Sequence, residues 1–134
     1  MARLFISHSS LDAVWCRPFV AALRAAGHTC FYDEDSIPGS AEWFKVIEDG
    51  VRDCDTFVLV LSPAAQASHW VNEEVRFAFV KRKAILVAVH EPAPVDGMLE
   101  TRQWVQVPGM APDAAAQVVP VSYTHLTLPT IYSV

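Results

Sequence analysis

The sequence is short of the features that mark several function classes. It has three cysteines in 134 residues, Cys16, Cys30 and Cys54, and no C-x-x-C pair. Spaced in this way they make neither a disulfide framework nor a zinc site, and they read as buried thiols of a reducing compartment. Basic residues are also scarce: 10 Lys and Arg stand against 15 Asp and Glu, a net charge of −5. A surface for nucleic acid needs clustered cations, and the one cluster, "KRK" at 81–83, reads as a solvated helix end. No run of 18 apolar residues is present, and "MARLFIS" lacks the length of a signal peptide. The expectation is a cytoplasmic chain with no membrane or nucleic-acid partner. His8, His28, His69, His90 and His125 show no metal-ligand spacing, so no metal site is assigned to them.

What remains is apolar and patterned. With 52% apolar and 19% charged residues, a chain of this length forms one domain around one core. Short apolar runs "RLFIS" (3–7), "TCFYD" (29–33), "TFVLVLS" (56–62) and "AILVAVH" (84–90), with a probable edge strand "RQWVQV" (102–107), alternate with helical spacing. The helical stretches are 11–26, closed by Gly27 and interrupted by Pro18, then 41–54, the segment around "SHWVNEEV" (68–75), and a last one beginning in 111–119. Central strands without polar alternation are buried on both faces, so the expected fold is a doubly wound α/β parallel sheet of order 2-1-3-4-5 with helices on both sides. The domain is expected over 1–119, its final helix cut short. Residues 120–134, "PVSYTHLTLPTIYSV", switch abruptly to Thr, Tyr and Pro and read as an atypical, non-native tail, with a genuine edge strand as the alternative.

In such a sheet the ligand crevice lies beyond the carboxyl ends of the strands, where strand order reverses, here between the first and third strands. The segments that follow those strands are "HSS" (8–10) and "PAAQASHWVNEE" (63–74). In the second, Val71, Val75 and Ala78 form a core-facing stripe, and Trp70 and Glu74 lie one turn apart on its flank. Glu74 has no cation three or four residues away, whereas Glu73 has Arg76. A long-range ion pair is the structural alternative for Glu74, and core filling the alternative for Trp70. Together they offer a π surface for a flat ring and a carboxylate for sugar hydroxyls.

"RLFISHSS", "CFYDEDSIPGSAEW", "TFVLVLSP" and "SHWVNEEV" resemble, in order, the motifs of the Toll/interleukin-1 receptor (TIR) domain, bacterial soluble type, over residues 3 to about 110. The resemblance implies a flavodoxin-like fold and, in enzymatic members, cleavage of NAD+ between nicotinamide and ribose, with NAD+ as substrate rather than cofactor. It places the catalytic Glu of W-x-x-x-E at Glu74 and its Trp at Trp70. It also implies that the loop "DEDSIPGS" (33–40), Asp35 included, closes over the nucleotide and takes part in homotypic self-association. Ser7, His8 and Ser9 fall where the first-strand loop of the family contacts its ligand. Two departures stand out: Ser9 and Ser10 occupy positions where metazoan enzymes carry a basic pair, and the 33–40 loop is about one residue short.

One carboxylate is enough for this chemistry, because a pyridinium leaves as neutral nicotinamide and needs no general acid. Glu74 would hold ribose hydroxyls and stabilise the developing positive charge. Ser9 or Ser10 could bond ribose or diphosphate, or simply cap a helix. Trp43 is a pocket wall or a core residue, and Ser62, at the end of the third strand, a ligand contact or a turn former. Asp33, Glu34 and Asp35 point only weakly to Mg²⁺, since carboxylates in a loop are usually just solvated. The leading expectation is a NAD+ glycohydrolase giving nicotinamide and ADP-ribose or a cyclic isomer, in bacterial anti-phage signalling. The alternative is a non-enzymatic interaction module, which has less need of Glu74. A phosphoacceptor receiver domain is excluded, because it needs an Asp where this chain has Ser62.

Overall fold

The continuous apolar runs become the middle of a parallel sheet. A computed structural model describes residues 2–34, 39–95 and 97–119. Strands β1 (Arg3–Ser7), β2 (Thr29–Phe31), β3 (Thr56–Leu61), β4 (Ala84–Val89) and β5 (Gln103–Gln106) pair in parallel in the order β2-β1-β3-β4-β5, the flavodoxin-like arrangement expected. All six residues of β3 are buried, as a central strand covered on both faces requires.

Successive residues of each strand serve two separate cores. Leu4, Ile6, Val58, Val60 and Leu86 face α1 (Ala13–Ala25) and α5 (Pro112–Val118), which bring Phe19, Leu23 and Ala115. Phe5, Phe57, Leu59, Leu61 and Val87 face α2 (Ala41–Asp53), α3 (Pro63–Ala67) and α4 (His69–Val80), which bring Trp43, Ile47, Val71 and Val75. On this second face Phe31, Phe5 and Phe57, neighbours in register across β2, β1 and β3, stack with ring centroids 4.9 and 5.1 Å apart. Gly50 of α2 lies on that column, where a Cβ would come within 3.0 Å of the Phe5 and Phe31 rings. The three cysteines are free and buried.

Several boundaries differ from the sequence reading for identifiable reasons. The first helical stretch opens with a 3-10 turn (Ser10–Asp12) capped by Ser9, and α1 starts at Ala13. Pro18 therefore sits inside α1; the carbonyl its missing N–H leaves free belongs to Val14, an exposed residue. Strand β2 stops at Phe31, two residues early, because Tyr32 and Asp33 turn out of the ladder. The helix after β3 breaks in two at Ser68, which ends α3 and caps α4. Between β4 and β5 there is a single 3-10 turn (Gly97–Leu99) in a segment where Pro92 and Pro94 remove backbone donors. The last described helix, α5, falls where the final helix was expected, and residues 120–134 lie outside the described residues. Among the described residues no helix is long and apolar enough to cross a membrane.

Candidate functional site

A cavity of about 420 Å³ opens where strand order reverses, above the carboxyl ends of β1 and β2 and beside the start of α4. Its floor is apolar, Phe5, Ile6 and Phe31, and its walls carry His8, Arg17, Trp43, Trp70 and Glu74.

Glu74 reaches this cavity because α4 is set by its cap. The Ser68 hydroxyl accepts from the Val71 N–H at 3.2 Å and fixes where the first turn begins. Val71, Val75 and Ala78 then face the core, which turns the flank bearing Trp70 and Glu74 toward the crevice. At the end of β1 the Ser7 side chain is fully buried, and a buried hydroxyl needs a partner. It donates to Glu74 Oε1 at 2.7 Å, joining residues 67 positions apart. Burial pushes the Glu74 carboxyl up to about 7; the Ser7 hydrogen bond pulls it down and the Asp33 carboxylate adds to the rise. Near neutrality the group is divided between acid and carboxylate, which keeps it responsive to any positive charge placed beside it.

The aromatic wall is built from two helices. Trp43, on the first turn of α2 behind the Ser40 cap, is buried and meets Trp70 edge to face with centroids 5.1 Å apart. Gly39 lies over the outer edge of the Trp70 indole. Its backbone takes φ +84°, and a Cβ there would fall 2.8 Å from Trp70 Cη2, so both space and conformation call for glycine. Opposite, His8 stacks on Tyr32 at 4.5 Å, and burial holds its imidazole below the usual value despite the nearby Glu34 carboxylate. Glu34 takes Arg17 in a two-pronged grip, Nη2 to Oε1 at 2.7 Å with Nε 3.0 and 3.1 Å from the two carboxylate oxygens.

The residues singled out from sequence thus separate into three groups. Glu74, Trp70, Trp43 and His8 line one cavity. Ser7, Ser9 and Ser62 do not line it. Ser7 holds Glu74, Ser9 accepts from the Leu11 N–H, and Ser62 caps α3 through the Ala65 N–H while donating to Asp12. Ser10, beside Ser9, is the serine on the wall. Asp35 lies outside the described residues, as does the centre of its loop, 35–38. Sequence reasoning passed over Arg17, Tyr32 and Gly39. Arg17 occupies an ordinary exposed helix position, and only the fold brings it to Glu34. Gly39 carried the one available signal, a glycine just before a Ser cap. Among the described residues no group of three or more His, Cys, Asp or Glu side chains is placed to hold a metal ion.

Solved structures share this architecture at low identity. The TIR domain of the Toll-related receptor TRR-2 from Hydra magnipapillata superposes with a TM-score of 0.68 at 18% identity, covering 79% of this chain and 84% of that one. The CMP N-glycosidase BcmB of Clostridium botulinum gives 0.60 at 14% identity, over 86% and 96% of the two chains. A 2-deoxyribosyltransferase from Bacillus psychrosaccharolyticus gives 0.67 at 14%, over 93% and 96%. No protein with a curated description matches. The TIR-domain family model matches residues 4–119. That span runs from β1 through α5 and takes in every cavity residue named above, so the chain belongs to the TIR-domain family.

Proposed function

We propose that this chain is a NAD+ glycohydrolase that cleaves the bond between nicotinamide and ribose. The observation that carries the reading is Glu74, a lone carboxyl held by Ser7 at the wall of a cavity whose other side is formed by Trp43 and Trp70. Two of the similar structures are by name an N-glycosidase and a deoxyribosyltransferase, both of which act at an N-glycosidic bond, and this supports the reaction class.

The residues perform the step in a simple way. The C1′–N bond breaks with its electron pair going to the pyridinium nitrogen, and nicotinamide departs neutral. The positive charge left on the ribose is met by the Glu74 carboxylate, with Ser7 fixing which oxygen faces it. Water then adds at C1′, releasing a proton and ADP-ribose; capture by a ring nitrogen of the same nucleotide would give a cyclic isomer instead. Trp70 and Trp43 offer a flat surface for the departing ring and keep bulk water off it. The cation of the substrate favours the ionised form of Glu74, so binding itself completes the catalyst.

Resemblance to bacterial soluble TIR domains supports a role in anti-phage signalling with activity raised by homotypic assembly. The second reading is a non-enzymatic interaction module. It is favoured by Phe44, 54% exposed on α2 beside a crevice of about 180 Å³ that Trp43, Ile47 and Phe77 also line. The two separate in one experiment, nicotinamide release from NAD+ with the protein packed densely on beads and Glu74→Ala beside it. The enzyme releases nicotinamide and the variant loses ~10²-fold or more of the rate. A clustered, folded wild type that releases none leaves the interaction module.

A further inference from the structure

The charge around the cavity narrows the substrate class, on the assumption that the glycohydrolase reading holds. The charged and titratable groups that face Glu74 come from three elements besides its own. From the loop after β1 comes His8, which burial keeps neutral near pH 7. From the end of β2 come Asp33, which acts on Glu74 as a like charge, and Glu34. From α1 comes Arg17, the one Lys or Arg among the lining residues. Its guanidinium is committed to Glu34 through three contacts of 2.7 to 3.1 Å, and that ion pair contributes no net charge. Helix α2 contributes Trp43 and Ile47, with no charge. The connecting segment 35–38, Asp-Ser-Ile-Pro, contains a further acid and no base in its sequence.

A nucleotide presents such a pocket with two opposite charges. The pyridinium ring is attracted by Glu74 and Asp33, and in a crevice of low dielectric that attraction is stronger than in water. A 5′-phosphate attached to the same ribose is repelled by the same two carboxylates and finds no uncommitted cation. A site that recognised the phosphate would be expected to hold an available Lys or Arg or a helix N-terminus aimed at it. Here the 3-10 turn after β1 spends its first free N–H, that of Leu11, on Ser9.

We infer that the cavity recognises the cationic pyridinium riboside itself, so that N-ribosyl pyridinium compounds without a 5′-phosphate are its preferred substrates and NAD+ is accepted as a riboside whose diphosphate tail stays outside the cavity. The chemistry at C1′ is unchanged: the glycosidic bond breaks, the base leaves neutral, and water supplies the hydroxyl and releases a proton.

The test measures base release from nicotinamide riboside, nicotinamide mononucleotide and NAD+ by the full chain clustered on beads. The expected kcat/KM for the riboside exceeds that for the mononucleotide at least fivefold. Raising salt from low to 0.5 M narrows the gap, because screening removes the repulsion. Glu34→Gln, which releases Arg17 and deletes one carboxylate on an exposed ion pair, lowers the riboside-to-mononucleotide ratio at least threefold. Preference of the wild type for the mononucleotide over the riboside, or a ratio indifferent to both salt and Glu34→Gln, overturns the inference while leaving the glycohydrolase standing. Release from none of the three, with the protein folded and clustered, removes the glycohydrolase and this inference with it.

Discussion

At the scale of single residues, Glu74 is in tension with the fold that holds it. A carboxyl whose value is raised from 4.5 to about 7 keeps its proton in the folded state after the unfolded chain has released it. Folding stability therefore falls as pH climbs from about 4.5 through 7, and above that the folded protein carries the full cost of a buried charge. Glu74→Gln is expected to unfold at higher urea than the wild type at pH 8, by roughly 2 to 3 kcal/mol, with the difference vanishing by pH 4. A variant less stable than the wild type at pH 8 would place the carboxylate among the stabilising groups instead. Ser7 acts on the same proton with the opposite sign. Its hydrogen bond favours the carboxylate, so in Ser7→Ala the rising limb of kcat/KM against pH moves upward by about one unit, and most of the rate lost at pH 7 returns at pH 8.5. A loss of equal size at every pH would mean that Ser7 merely packs. Glu74 and Trp70 were legible in the sequence because helix geometry places residues four apart on one edge. The role of Ser7 was not, since nothing local to a strand end names a partner 67 positions away.

At the scale of elements, the cavity depends on how α4 and the loop before α2 meet. Gly39 is the contact between them, seated at φ +84° against the Trp70 ring. Gly39→Ala adds a methyl 2.8 Å from Cη2 and a strained backbone, so the loop or the indole must shift. The expected cost is ~1–2 kcal/mol in stability, with KM raised severalfold and kcat little changed, because Glu74 and Ser7 stay in place. Steady-state kinetics on the clustered protein decides this; a kcat that collapses with KM unchanged would mean that the loop acts on the chemistry instead. The elements themselves were readable where one physical cue dominated. Apolar runs gave β1, β3 and β4, and a Ser-led amphipathic stretch gave α2. The cues conflicted at Ser68, where the cap of α4 is also the end of α3, and at Ser9, where a capping hydroxyl started a 3-10 turn ahead of the α-helix. A single helical periodicity runs across both breaks unnoticed.

At the scale of the molecule, the parallel sheet follows from the lack of polar alternation in β3 and β4, and the place of the cavity follows from the sheet. The charge of the cavity does not, because Arg17, Glu34, Asp33 and Glu74 come from three elements that only the folded chain brings together. Core and site are nevertheless one structure. The phenylalanine column on the α2 face begins at Phe57, passes through Phe5, and ends at Phe31, and its last two rings form the floor of the cavity. Phe57 is fully buried and does not line the cavity, so Phe57→Ala is expected to cost ~3–5 kcal/mol of stability, a large share of the ~5–15 kcal/mol typical of a domain. Its KM for NAD+ should stay near the wild-type value at temperatures where the variant remains folded. Phe31 lies at the outer end of the column and is partly exposed, so Phe31→Ala is expected to cost less in stability and more in KM. Urea unfolding and kinetics on the same two preparations test this division. Equal effects of the two substitutions on both quantities would show that the column transmits disorder along its length, and that the floor of the cavity is only as rigid as the ring farthest from it.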